Sequence, residues 1–185
     1  MYYLKKILPK SCLKNIYQAL IHSHLNYGVL LWGYESHRIF KLQKKALRLL
    51  CKTHYLAHTD PLFKKEKILK VADIFKIQSY KLYYKFVKNR LPIKLMRLFK
   101  FEENNQMRLK FYQCTQKSAR NRIRYSLPQL VNNSSNLIIE KAFTHSFLGY
   151  KNYIKKKMID SYDDSPCTVQ DCFSCRRNFL SHTQP

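Results

Sequence analysis

Apolar residues recur along most of this chain at steps of three and four, the period of a helix that buries one face. Ser11 is suited to cap a helix, and Leu13, Ile16, Tyr17, Leu20 and Ile21 carry the pattern to about Leu25. Asn26-Tyr27-Gly28 breaks it, and a short apolar run, Val29 to Trp32, follows and is closed by Gly33. The most periodic stretch runs from His37 to Thr53, with Ile39, Leu42, Ala46, Leu49 and Leu50 on its predicted inner face. Thr59-Asp60-Pro61 reads as a helix start, Asp60 capping and Pro61 in the first turn. That short helix carries Leu62, Phe63 and Ile68. A longer helix is predicted from Asp73 to about Asn89. Ile74, Phe75, Leu82 and Phe86, with Val71 ahead of them, form one apolar face. Ile77, Tyr80, Tyr84 and Val87 form a second, so this helix should be buried on two sides. Pro92 ends it or opens the next short helix, Ile93 to Phe99.

After Phe101 the pattern changes. Glu102 to Asn105 reads as a loop. Met107 to Thr115 and Arg120 to Leu127 alternate loosely, which predicts a small strand pair. Asn132-Asn133-Ser134-Ser135 is a turn and cap cluster that opens a helix with Leu137, Ile138, Ala142 and Phe143. Gly149 is expected to interrupt it, with helix resuming from Tyr150 to Tyr162. The fold class is therefore mainly α, a basic helical bundle with a small β-hairpin in the C-terminal half. A junction near residue 100 divides residues 1–100 from residues 101–185.

Composition adds a partner. The chain has 35 Lys+Arg against 11 Asp+Glu, a formal net charge of +24. Such an excess repels itself when the chain is compact, and a polyanion relieves that repulsion. With 14 Tyr and 11 Phe, the chain also holds many rings that suit stacking on bases. RNA, DNA or an RNA–DNA hybrid fits both features, and a membrane surface is the competing polyanion. No apolar run is long enough to span a bilayer or to act as a secretory signal, which predicts an intracellular, nuclear or cytoplasmic chain with no membrane partner.

The charge is not evenly spread. Lys41, Lys45, Arg48 and Lys52 follow at steps of four, three and four, opposite the predicted apolar face, with Lys44 beside them. Like charges in line cost an isolated helix stability, and a phosphate backbone alongside removes the cost. The plain alternative is a solvated face. Lys64, Lys65 and Lys67 extend the basic surface. Tyr27 and Trp32 are expected to pack rather than stack on bases, and His58 to fix the turn before Thr59.

Several ordered blocks resemble a known family. They are Leu4 to Lys10, Leu13 to Gly28 with Trp32-Gly33, Leu42 to Arg48, Ala57 to Phe63, and Ile68 to Ile74. Weaker blocks lie at Arg122 to Pro128 and Lys151 to Tyr153. Together they are similar to the region after the palm in non-LTR retrotransposon reverse transcriptases of Jockey-like and related clades. The resemblance implies a helical thumb over residues 1–100, which holds the template–primer duplex, and a downstream segment over residues 101–185. It implies an RNA-directed DNA polymerase as parent and the palm domain as a neighbour. The polymerase's metal-binding aspartates lie in the palm. Tyr162-Asp163-Asp164 is a poor stand-in, with Ser161 where an aromatic residue belongs and no flanking strands. The expectation is thus a nucleic-acid-binding segment, without catalysis and without a small-molecule substrate. A remnant without activity and an independent basic RNA-binding protein are the alternatives.

Cys167, Cys172, Cys175 and His182 are separated by four, two and six residues. The Cys172–Cys175 pair has chelating spacing for zinc, and Arg176-Arg177 lie beside it. Cysteine-rich knuckles near the C-terminus occur in elements of the resembled kind, which points to a zinc site; a reduced tail is the alternative reading.

Overall fold

The computed structural model describes residues 3–32, 37–103, 105–113 and 122–162. The chain is mainly helical, with one small antiparallel two-stranded sheet. Among the described residues, no helix is long and apolar enough to cross a membrane. Backbone contacts divide the chain into two compact units. The first holds residues 3–27, 37–71 and 158–162 of the described chain, and the second holds residues 28–32, 72–103, 105–113 and 122–157. The junction expected near residue 100 falls inside the second unit.

The first unit opens with α1 (Leu4–Ile7) and α2 (Lys10–Ile16). α2 runs without a break through a π-helical segment (Tyr17–His22) into α3 (Ser23–Asn26). A π turn holds more residues than an α turn, so it rotates the faces that follow. Leu13 and Tyr17 are fully buried as the α period demands, but Leu20 is exposed and Leu25 is the next buried apolar residue. That displaces the inner face expected at Leu20.

Helix α5 (His37–Leu50) buries Gln43, Ala46, Leu47 and Leu50. Leu42, expected inside, is 64% exposed, whereas Gln43 beside it is 1% exposed. The reason is a hydrogen-bond node. Gln43 Nε2 donates to Tyr17 Oη at 3.0 Å and to the Leu69 carbonyl at 2.8 Å, and Oε1 accepts the Val71 N–H at 3.0 Å. The amide thus ties the π segment, α5 and the start of α7 to each other, and every polar atom it touches is satisfied. Helix α6 (Asp60–Glu66) has Thr59 at its cap position and Pro61 in its first turn. Asp60, expected as the cap, instead accepts a hydrogen bond from Lys70 Nζ at 2.9 Å.

Helices α5, α6 and α7 (Val71–Val87) all close in one way. A left-handed residue follows each: Lys52, Lys67 and Asn89, with φ of 54°, 55° and 54°. The next amide reaches back five residues, as in Thr53 N–H to the Arg48 carbonyl at 3.1 Å. Glycine is the usual residue there; this chain has only three, and uses two lysines and an asparagine instead.

In the second unit α7 is sheathed on several sides. Ile74, Phe75, Ile77, Tyr80, Tyr83, Tyr84 and Phe86 are all buried. Tyr83 Oη donates to the Met107 carbonyl at 2.6 Å and Tyr84 Oη to that of His145 at 3.1 Å. The unit also holds α4 (Val29–Trp32), α8 (Ile93–Met96), α9 (Ile123–Asn132), α10 (Asn136–Thr144) and α11 (Phe147–Asp160), whose last turn belongs to the first unit. β1 (Phe101–Glu102) pairs with β2 (Asn105–Leu109), Phe101 opposite Leu109 and Glu102 opposite Asn105. The hairpin is held by Asn132, whose amide accepts the Leu109 N–H at 3.1 Å and donates to the Leu109 carbonyl at 2.8 Å.

A hairpin is present, but not between the expected segments. Residues 123–127, predicted as strand, are helical. Arg122 to Leu127 alternates by chance, and burial of Leu127 and Val131, four apart, decides for helix even with Pro128 inside it. Gly149 also does not interrupt a helix. It lies in the first turn of α11, and its N–H donates to Ser146 Oγ at 3.3 Å. The break comes at His145–Ser146.

Candidate nucleic-acid interface

The burial of Gln43, Ala46, Leu47 and Leu50 fixes which way α5 faces. Lys41 and Lys45 are consequently exposed, one helical turn apart, and Arg38 is exposed three residues before Lys41. Arg38 was missed in the sequence, although its spacing from Lys41 and Lys45 is the signal that would have found it. No acidic residue lies in α5, and among the described residues no carboxylate pairs with Arg38, Lys41, Lys45 or Lys52.

The other expected members serve differently. Arg48 is half-buried, and its Nε donates to the Ala57 carbonyl at 2.8 Å, holding the loop after α5. Lys52 is exposed but lies past the helix end, in the left-handed turn. Lys44 is half-buried, its ammonium 4.5 Å from the Phe40 ring centroid. Phe40 in turn stacks on Phe63 of α6, centroids 6.0 Å apart at 21°. Lys64 is half-buried, while Lys65 and Lys67 are exposed.

Near Lys65 the unit holds an acidic centre that the sequence did not announce. Glu66 is buried and pairs with both Lys10 and Lys14, the latter at 3.4 Å. Lys14 Nζ also donates to the Glu66 carbonyl at 3.0 Å. Burial by itself would raise the Glu66 carboxyl, but the hydrogen bond and charge of Lys10, followed by Lys14, bring it below its ordinary value. The same bond raises Lys10. The Cys51 thiol nearby is pushed up by burial and by Glu66, against the pull of Lys10, Lys65 and Lys14.

The second unit has its own cationic group. Lys81, half-buried on α7, is lowered by burial and then by Lys151 and Lys85. Lys141 sits 3.7 Å from the Tyr153 ring centroid, and Lys157 Nζ donates to Ser135 Oγ at 3.0 Å. Tyr27, expected to pack, is 83% exposed, while Trp32 is half-buried. Tyr162 is buried, and its Oη accepts the Lys70 N–H at 3.0 Å, a structural contact. Cys167, Cys172, Cys175 and His182 lie outside the described residues, as do Asp163 and Asp164. Among the described residues, no cluster of three His, Cys, Asp or Glu side chains is arranged to hold a metal. Comparison with protein-family models, curated proteins and solved structures found no match to this chain.

Proposed function

We propose that this chain is a nucleic-acid-binding module that grips a sugar–phosphate backbone, in the manner of the thumb and downstream segment of a non-LTR reverse transcriptase. It supplies grip rather than chemistry, and a palm domain is the partner the resemblance implies. One observation carries the reading: the outer face of α5 presents Arg38, Lys41 and Lys45 to solvent with no acid on the helix, and Lys52 follows just beyond its end. At 1.5 Å rise per residue, Lys41 and Lys45 stand about 6 Å apart along the axis. Cations so spaced meet neighbouring phosphates without reading bases, giving affinity and register but no sequence preference.

The test is filter binding of an RNA–DNA hybrid across a salt series. Each phosphate contact contributes about −0.9 to the slope of log affinity against log salt on a duplex. Lys41→Glu/Lys45→Glu/Lys52→Glu is expected to lower affinity at least about tenfold and to flatten the slope by roughly three contacts. Arg48 is left intact because it holds the loop. Reversal of Lys155, Lys156 and Lys157 is the control and should cost far less. Equal losses from both sets would mean diffuse charge and no built interface.

A further inference from the structure

The second unit contains a cleft between α7 and α9 that the phosphate grip does not use. Its volume is about 380 Å³, at the lower end of the roughly 300–1,000 Å³ typical of small-ligand sites. That suits one nucleotide and excludes a duplex. From α7 come Phe75, Lys76 and Tyr80; from α9 and its end come Ser126, Gln129 and Asn133, at helical steps of three and four. The Phe75 and Tyr80 rings are nearly buried and line the cleft, and Tyr80 is anchored by a 2.6 Å hydrogen bond to Ser134. Ser126 is 4% exposed, and its hydroxyl has no hydrogen-bond partner. A buried hydroxyl left unpaired costs stability, which a ligand with a matching group recovers. Gln129 and Asn133 are exposed at the mouth. Their carboxamides each offer a donor and an acceptor, the pair that matches a base edge. Lys76 stands at the rim, tethered to Asp73 at 3.3 Å.

We infer that this cleft takes a single unpaired nucleobase, its edge on the Gln129 and Asn133 amides. The rings supply apolar contact and the amides orientation. The inference leans on the phosphate-gripping reading only for the source of the ligand: the base belongs either to a bound strand or to a free nucleotide.

The variant is Gln129→Ala/Asn133→Ala, which removes two exposed side chains and spares the core. Wild type and variant are titrated with a mixed-sequence single-stranded RNA and with the RNA–DNA hybrid, both by fluorescence anisotropy. The four nucleoside monophosphates are examined by saturation-transfer NMR. The variant is expected to lose about tenfold in single-strand affinity and to keep hybrid affinity within about twofold. Saturation transfer to base protons that is present in wild type and absent in the variant identifies a free nucleotide as sufficient. Loss on the single strand without such transfer identifies the strand as the source. Unchanged single-strand affinity with equal or absent transfer in both proteins overturns the inference while leaving the hybrid grip standing. Wild type that binds neither hybrid nor RNA overturns the grip instead, and transfer to the monophosphates then decides the cleft alone.

Discussion

Replacing Gln43 with leucine tests the packing that aims the candidate interface. Leucine has similar bulk, so the change removes polar atoms without opening a large cavity. It strips partners from three groups: the Tyr17 hydroxyl, the Leu69 carbonyl and the Val71 N–H. Tyr17 and Val71 are fully buried and Leu69 nearly so, so water does not replace the lost bonds. A buried group left unpaired costs about 1–3 kcal/mol, so three cost about 3–9 kcal/mol. Relaxation and the apolar side chain return about 1–3 kcal/mol, and at the middle of both ranges the net loss is about 4 kcal/mol, a large part of a domain's usual 5–15 kcal/mol. Urea unfolding followed by far-UV circular dichroism measures the loss, and hydrogen exchange of the Val71 amide reports the node itself. Tyr17→Phe alone should cost about 1 kcal/mol. In the Gln43→Leu background it should cost less, because that variant has already broken the Tyr17–Gln43 bond. A Gln43→Leu protein within about 0.5 kcal/mol of wild type, or strictly additive effects of the two changes, would refute the node.

Lys52→Gly separates stability from binding. Glycine relieves the left-handed backbone by about 1 kcal/mol, so the melting temperature should rise while hybrid affinity falls; a drop in both would place Lys52 in a structural contact. Glu66→Gln should cost about 1–2 kcal/mol near neutral pH, since the lysine ends are nearly half-exposed and screened. The Glu66 carboxyl lies below its ordinary 4.5, so its contribution is full above that value and fades as pH falls below it. Lys10 lies above its ordinary 10.5, so its contribution is full below that value and fades as pH rises beyond it. The variant should lose both limbs of the stability–pH profile, and a profile that keeps them would sink the assignment. Tyr150→Phe should leave stability unchanged or raise it by up to about 1 kcal/mol, because its buried hydroxyl has no partner. Tyr83→Phe should lower stability by about 1 kcal/mol by deleting its bond to the Met107 carbonyl; thermal melts that reverse this order would contradict both environments.

The helices were legible where periodicity was saturated and misread where one tertiary contact outweighed it. α7 carries apolar and aromatic residues on two faces, so the expected two-sided burial follows. α5 was legible as a helix, but its inner face was misplaced. A pattern that scores Leu42 as core and Gln43 as surface has no access to a node whose partners are 26 and 28 residues away. The π segment after α2 leaves no mark in composition, so Leu20 was assigned one turn too strictly. Lys41 and Lys45 follow from charge at helical spacing. Arg48 sits in the same pattern but works on the Ala57 carbonyl, and nothing in its spacing distinguishes it. The cleft was invisible for a similar reason: its amides and rings are some fifty residues apart in sequence and meet only when α9 forms where strand was expected.

Where the scarce acids sit sharpens the functional reading. In the first unit Glu66 is committed to Lys10 and Lys14, and Asp60 to Lys70, all in part-buried contacts that hold α2 and α6. Carboxylates drawn into such contacts are not at hand to neutralise α5, where like charges one turn apart oppose the helix by a few tenths of a kcal/mol per pair. α5 tolerates that repulsion because its stability comes from the opposite face: Ala46, Leu47, Leu50 and the Gln43 node. A solvated face with no partner gains nothing from excluding acids, and interspersed Glu at i+4 would have stabilised it. A face built for phosphate does gain, since any carboxylate there would compete with the ligand for the same cations. If α5 grips a polyanion as proposed, the cost the helix bears in isolation and that affinity have one origin, the separation of acids from the helix that points its lysines outward.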